Sequence, residues 1–352
     1  MADTYRMLSH KLLWHPDVLA KWRRGEPFFP VHLDIGATSR CNYRCVHCFY
    51  DYLGHRRRDL DREVLLRLMR DIAEHGVRSI FFASQGEPLL NPATPEAIVT
   101  ADRHGVDVAM SSNGSLFTPE VAREILPHLK WVRISVLARS EEAYCALHGA
   151  SSRSWRAVFD NLAAMSETVR RQGLGTVLGV QTCLLRENGD EIVPLVRHVK
   201  ELGFHYITLR PISQLPANGY RLEDDLLRRF QEQLQEAESL AGEGFDVVVR
   251  WNLHGGGKKE YDACLGLPFI AFVNADGGVY TCGCRLDEEP FCYGNLYDEP
   301  FPDLWMSEKR KQLTERASSQ PDFARCDLFC RHHAINQFLW EYAQEPPHVN
   351  FI

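Results

Sequence analysis

No run of about 18 apolar residues occurs in the chain, so there is no candidate for a membrane-spanning helix. The opening segment, MADTYRMLSHKLLWHPDVLAKW, lacks the apolar stretch and small-residue cleavage site of an export signal. It reads instead as a helix with Leu8, Leu12, Leu13 and Leu19 on its buried side. Positive charge is in deficit: 40 Lys and Arg against 47 Asp and Glu give a formal net charge of −7. A chain of that sign is not built to wrap nucleic acid or an anionic membrane. Internal repeats and low-complexity tracts are absent as well. The expectation is a cytoplasmic protein whose partners include neither nucleic acid nor membrane.

Cysteine, by contrast, is abundant, at 11 residues. A secreted disulfide protein would be shorter and would carry an export signal, so metal or cluster ligation leads. Cys41, Cys45 and Cys48 are crowded near the start, and Cys264, Cys282, Cys284, Cys292, Cys326 and Cys330 lie near the end. Only Cys145 and Cys183 fall between. With 352 residues, 45% of them hydrophobic, the chain can bury one large core and a smaller appended domain.

From Pro30 to Arg210, β-rich runs alternate with amphipathic stretches. The runs are Val31 to Ala37, Ser79 to Ser84, Val106 to Ser112, Trp131 to Leu137, Thr176 to Leu185 and His205 to Ile212. The stretches between include Arg62 to Gly76 and Arg156 to Gly173, and a further helix is expected over Arg221 to Glu243. This alternation predicts an α/β fold: a parallel sheet with right-handed crossovers, as a partial (β/α)6 barrel. The pattern breaks near residue 250, where WNLHGGGKK reads as a linker. Beyond it, FIAFVNADGGVYTCGC reads as a hairpin around Asp-Gly-Gly, and FPDLWMSEKRKQL as a helix. The expected organisation is an N-terminal helical extension (1–29), a core (30–250) and a small C-terminal domain (251–352).

The first cysteine group ends the first strand as TSRCNYRCVHCFY, with Cx3Cx2C spacing. Three thiolates on one loop can ligate three irons of a four-iron cluster and leave the fourth open to a ligand. A structural zinc site with His47 as fourth ligand stays open on spacing alone. Arg56, Arg57 and Arg58 form a basic run after this loop and read as a solvated segment.

The chain here resembles the radical S-adenosylmethionine (SAM) superfamily, in which such a loop follows the first strand. The resemblance implies a [4Fe-4S] cluster on Cys41, Cys45 and Cys48 that binds SAM. One electron cleaves SAM to methionine and a 5′-deoxyadenosyl radical, which abstracts hydrogen from substrate. It also implies a reductant such as flavodoxin or ferredoxin. The family's Gly-Gly-Glu motif stands here as Gln85-Gly86-Glu87, with Glu87 expected to accept from the methionine amino group and Gly86 to allow close approach. Ser111, Ser112, Asn113 and Ser135 are implied to line the SAM ribose and carboxylate. Arg210 ends the sixth strand, where ligands of open α/β sheets gather, and is a candidate contact to substrate or SAM.

The C-terminal cysteines resemble the auxiliary-cluster domains called SPASM and twitch: Cys264, Gly277 and Cys282 fit their opening pattern, and YGNLYDEPFPDLW their linker. The resemblance implies one auxiliary [4Fe-4S] cluster, the twitch form, on Cys264, Cys282, Cys326 and Cys330. Cys145, Cys183, Cys284 and Cys292 are then spare, either buried thiols or hydrogen donors, and Cys284 or Cys292 could instead replace one of those ligands. His332 and His333 read as surface or helix-start residues. The organisation is similar to radical SAM dehydrogenases and epimerases of aminoglycoside biosynthesis. That implies a small-molecule substrate, a sugar or cyclitol, whose alcohol is oxidised to a ketone or whose carbon is epimerised. A peptide-modifying maturase is the other enzymatic reading, and a non-catalytic zinc-binding module the reading of another class.

Overall fold

The computed structural model describes residues 9–54, 56–213, 219–220, 225–251, 259–319, 326, 330–344 and 347–351. All six expected strands form: β1 (His32–Ile35), β2 (Ser79–Phe82), β3 (Asp107–Ser112), β4 (Trp131–Ser135), β5 (Val177–Leu184) and β6 (Tyr206–Pro211). They pair in parallel in sequence order. A strand that the sequence pattern missed, β7 (Asp246–Val249), extends the sheet beyond β6. It is short and only partly buried, so its four residues carry little pattern.

The expected hairpin is β8 (Ile270–Val273) and β9 (Gly278–Tyr280), followed by β10 (Cys292–Asn295). β8 pairs in parallel with β1, so the C-terminal segment continues the core sheet. The result is one open sheet of ten strands, with β10 and β7 at its edges. Six parallel strands were expected; the parallel section runs β8-β1-β2-β3-β4-β5-β6-β7, because β8 and β7 are added at its two ends.

The helices are α1 (Pro16–Arg24), α2 (Arg62–Glu74), α3 (Thr94–Arg103), α4 (Pro119–Ile125), α5 (Glu141–His148), α6 (Ser152–Gln172), α7 (Ile192–Glu201), α8 (Leu226–Arg229), α9 (Gln231–Ser239), α10 (Phe301–Met306), α11 (Glu308–Ser319) and α12 (His333–Ala343). α6 shows why they form. Ser151 caps its first turn, Gly173 closes its end, and Val158, Leu162, Met165 and Val169 bury one face at helical spacing. The N-terminal segment is not one helix. A 3-10 turn over Ser9–Trp14 precedes α1, whose first position is Pro16. Leu12 and Leu19 are buried, but Leu13 is exposed; Leu8 lies outside the described residues. The helix expected over Arg221 to Glu243 is broken at Phe230 into α8 and α9, and that over Phe301 to Leu313 at Ser307 into α10 and α11. Most of the expected linker, residues 252–258, lies outside the described residues. No helix among the described residues is long and apolar enough to cross a membrane.

One layer of helices covers one face of the parallel sheet, while α1 and α12 pack at β8 on the other, where Leu19 and Leu339 cluster with Ile270 and Phe272. Leu33, Ile80, Val108, Val132, Ile134, Val180 and Ile207 point into that packed layer. Parallel strands covered on both faces read as continuous apolar runs. β4 does not: Val132 and Ile134 are buried, while Trp131, Arg133 and Ser135 between them are only partly so. The alternating residues face away from that layer. This inner face carries His32, Asp34, Phe81, Ser111, Arg133, Gln181, Cys183, Tyr206 and Arg210, in mutual register.

Candidate active site

The loop after β1 brings its three thiols together at one end of the sheet. Its backbone is pinned to the end of α5, where Arg44 N–H donates to the His148 carbonyl at 3.0 Å and Val46 N–H to that of Leu147 at 3.0 Å. Tyr43 is buried, and the Tyr144 hydroxyl donates to its hydroxyl at 3.1 Å. Burial pushes the Cys45 thiol far up, and the neighbouring Cys48 and Cys41 sulfurs push it the same way. Burial raises Cys41 and Cys48 too, and Cys41 adds to the rise at Cys48. Three thiols that resist becoming anions side by side are what a cationic cluster stabilises, since a coordinating metal deprotonates them outright.

The donor set fits a four-iron cluster. Such a cluster carries each thiolate on a separate iron, so three thiols on one loop can hold three irons and leave the fourth open. His47, the alternative fourth ligand, is half-buried with an inaccessible, unpartnered Nδ1, and desolvation lowers its pKa to about 4.

Polar groups reach the sulfurs: Tyr43 N–H donates to Cys41 Sγ at 3.5 Å. Asn113 Nδ2 lies 4.0 Å from Cys41 Sγ, and His148 Nδ1 lies 3.4 Å from Cys45 Sγ. Asn113 belongs to the expected set, whereas His148 was missed because it is 103 residues from its partner.

Gly86 and Glu87 sit beside this loop. Gly86 has φ +79°, and a Cβ there would strike the carbonyls of Thr38 and Arg40. Glu87 is 1% exposed and donates its N–H to the Arg40 carbonyl at 2.7 Å. Its carboxylate accepts from Ser112 Oγ at 2.8 Å, Asn113 N–H at 2.7 Å and Leu89 N–H at 3.3 Å. Burial raises its pKa to about 7 against those bonds. Ser112 and Asn113 therefore hold Glu87, while Ser111 and Ser135 stand on the inner face in register with Arg133 and Gln181. Gln85, in place of the family's first glycine, is buried and donates to Asn274 Oδ1 in the β8–β9 turn. The departure from the motif thus ties the β2 loop to the C-terminal hairpin.

On the inner face, Cys183 is the register partner of Arg210 and interacts with Cys45, Arg210 and Arg133. Burial raises its pKa, which keeps it a thiol. Cys145 sits instead on α5, and Cys292 opens β10, donating to the Gly294 carbonyl at 3.3 Å. Arg210 spends its guanidinium on the Pro211 carbonyl at 3.1 Å and on Ser213 Oγ at 3.0 Å. Arg133 and Gln181, which no motif marked, also line this face.

The C-terminal thiols form a second group. Burial raises Cys330 well above its ordinary value, and Cys284, Cys264 and Cys326 add to the rise. Burial also raises Cys264, to about 11, with Cys326 and Cys284 again among its neighbours. Cys284, expected to be spare or to replace a named ligand, stands among these neighbours. Cys282, expected as a ligand, acts on Tyr52 and Tyr293 as well as lying two residues away in the same turn. Asn336 Nδ2 donates to Cys264 Sγ at 3.3 Å. His332 precedes α12 and is buried, not on the surface; His333 begins the helix. The basic run is not simply solvated either: Arg58 pairs with Asp276 at 2.6 Å, and both Arg56 and Arg58 approach Asp287 at 3.4 Å.

Comparison with known proteins matches both halves of this arrangement. The model of the radical SAM superfamily matches residues 35–199, and that of the SPASM iron-sulfur cluster-binding domain matches residues 264–331. A tungsten-containing aldehyde ferredoxin oxidoreductase cofactor-modifying protein of Pyrococcus furiosus is 22% identical over 79% of this chain and 81% of its own. The mycofactocin maturase MftC of Mycolicibacterium smegmatis is 27% identical over 86% of this chain and 77% of its own. Among solved structures, Streptococcus suis SuiB bound to SAM superposes with a TM-score of 0.66 at 15% identity, covering 93% of this chain and 77% of SuiB.

Proposed function

The chain carries a radical SAM domain, which binds a [4Fe-4S] cluster and SAM, and a SPASM domain, which binds auxiliary iron–sulfur clusters; on that footing we propose that it abstracts a hydrogen atom from a substrate carbon lying over the inner face of the sheet. The observation that carries this reading is the convergence of the Cys41, Cys45 and Cys48 thiols beside Glu87 and Asn113. Bound there, the cluster supplies the electron that cleaves SAM to methionine and a 5′-deoxyadenosyl radical.

The chain's own residues have separate tasks. Cys41, Cys45 and Cys48 would hold three irons. Glu87, fixed by Ser112 and Asn113, would receive the methionine ammonium. Ser111 and Ser135 offer hydroxyls towards the ribose and carboxylate. Cys264, Cys326 and Cys330, with Cys284 or Cys282, would hold one auxiliary cluster. That complement suits oxidation of a carbinol to a ketone, as for a sugar or cyclitol. One observation favours a second outcome: Cys183 is a half-buried thiol on the inner face, where it could return a hydrogen atom and so epimerise the carbon. A peptide substrate stands beside the sugar, supported by the similarity to the mycofactocin maturase.

The test is anaerobic reconstitution, then assay with SAM and a flavodoxin or ferredoxin reductant. Wild type is expected to release 5′-deoxyadenosine, and the triple Ala variant of Cys41, Cys45 and Cys48 none. Cleavage retained in the variant would refute the site. Iron near eight per chain corresponds to one auxiliary cluster, if each cluster holds four irons. Substrate radical formation that persists in Cys183→Ala without inverted product would identify epimerisation.

A further inference from the structure

The inner face carries more positive charge than its described neighbours balance. Arg133, in the middle of β4, is in register with Ser111 on one side and Gly179 on the other. Gly179 is in turn opposite Tyr206. A Cβ at Gly179 would collide with the Tyr206 ring, so the missing side chain lets that ring lie across β5 towards Arg133. The Arg133 guanidinium lies 5.5 Å from the centre of the Trp131 ring and 5.8 Å from that of Phe81. Arg210, Arg331, Tyr206 and Cys183 are the ionisable groups that act most strongly on it, and among the described residues it forms no ion pair with a carboxylate. Its Nε is buried without a partner.

The other two arginines do not correct the imbalance. Arg210 donates only to neutral oxygens of Pro211 and Ser213. Arg331 pairs with Asp34, which also meets His32. Among the described residues, three guanidinium groups thus share one carboxylate. Gln181 adds a buried Oε1 with no partner on the same face. A buried charge is retained where a counter-ion completes it. A guanidinium fork matches the planar or tetrahedral oxygens of an oxyanion, two bonds at a time.

We propose that this face binds an oxyanion of the substrate, a carboxylate or a phosphate, with Arg133 as its principal ligand and Arg210 beside it. The assignment rests on the reading above only in placing the substrate there. It narrows the substrate class: an acidic small molecule suits the face, and a cationic amino-cyclitol does not.

The experiment is calorimetric titration of the reconstituted full chain with SAM bound, so that the site for SAM's own carboxylate is filled. Inorganic phosphate and sodium succinate are the two probes. Wild type is expected to bind at least one of them at a single saturable site. Arg133→Gln is expected to weaken that binding at least about tenfold, and Arg133→Lys less, because a point charge replaces a fork. Preference for phosphate would indicate a phosphorylated substrate, and preference for succinate a carboxylic acid. Circular dichroism and iron content check the fold; should Arg133→Gln fail them, Arg210→Gln serves the same comparison, with weakening expected. No saturable binding by wild type, or undiminished binding in the folded variants, would overturn the proposal. SAM cleavage by the same wild-type sample is scored separately. Cleavage without anion binding removes this proposal alone, and absence of cleavage removes the radical reading whatever the titration gives.

Discussion

His148 hands a proton towards Cys45. Leu137 N–H donates to His148 Nε2 at 3.0 Å, so that nitrogen carries no hydrogen. The ring is fully buried, and burial lowers its pKa to about 3, so it is neutral at physiological pH. Its one N–H is therefore on Nδ1, directed at Cys45 Sγ 3.4 Å away. The end of α5 thus serves both to pin the cluster loop and to donate to one of its sulfurs.

A hydrogen bond to a cluster thiolate draws electron density from the sulfur and favours the reduced cluster. His148→Phe keeps the ring's bulk and removes the donor. The midpoint potential of the SAM cluster is expected to fall by an amount on the order of tens of millivolts. A redox titration followed by electron paramagnetic resonance measures it. A potential unchanged from wild type, in protein with full iron, would show that the contact does not tune the cluster.

Glu87 is expected to make SAM binding depend on pH. Its folded pKa is raised to about 7, above the ordinary carboxylate range. Without SAM the folded protein holds a proton there that the unfolded chain releases. Stability therefore falls as pH rises from the ordinary carboxylate range to about 7, by about 3 kcal/mol. The methionine ammonium favours the ionised form, so affinity for SAM is expected to rise with pH up to about 7 and then level off. Glu87→Gln should bind SAM weakly at every pH and lose that slope. Calorimetry across the range checks affinity and urea denaturation checks stability; a parallel slope in the variant would assign the titration to another group.

Cys284 and Cys282 make opposite predictions for the auxiliary cluster. Cys330 and Cys264 both have Cys284 and Cys326 among their neighbours. Cys284→Ala is then expected to lose about four irons per chain, as Cys330→Ala does, and Cys282→Ala to keep them. Iron analysis of anaerobically reconstituted protein decides the point. The reverse result would return Cys282 to the ligand set.

That ambiguity marks how far the sequence is legible. Cys264, Gly277 and Cys282 announce the domain by spacing, but spacing cannot say which of two thiols a turn aims inward. The six central strands were readable because each is an apolar run ended by a helix signal. β7 was not, being four half-buried residues at an edge. Glu87 was visible from its motif, but its partners were not ranked: Ser112 and Asn113 hold the carboxylate while Ser111 faces the opposite way. Arg133 was hidden for a different reason. A lone arginine in an apolar strand looks like a surface residue until the register shows that it shares a face with Ser111, Gln181 and Arg210, turned away from the apolar layer of Val132 and Ile134. His148 required a contact across more than a hundred residues, which no local pattern encodes.

Gly86 offers a test of the cluster loop's seat that does not touch a ligand. Its φ of +79° already disfavours any other residue, and a Cβ would drive into the Thr38 and Arg40 carbonyls. The Arg40 carbonyl is also the acceptor for Glu87 N–H at 2.7 Å, so relief of the clash moves the loop carrying Cys41 away from Glu87. Gly173 is the control, with φ +61° at the end of α6 and nothing within 4 Å of an added Cβ. Gly173→Ala should cost about 1 kcal/mol of stability from the left-handed backbone alone, and leave SAM cleavage intact. Gly86→Ala should cost about 2 kcal/mol or more and abolish cleavage, because the same carbonyls must give way. Thermal denaturation and 5′-deoxyadenosine release, measured on both variants, check the pair. Equal losses in the two would mean that backbone conformation alone matters, and that the close packing of the two loops does not position Glu87 against the cluster.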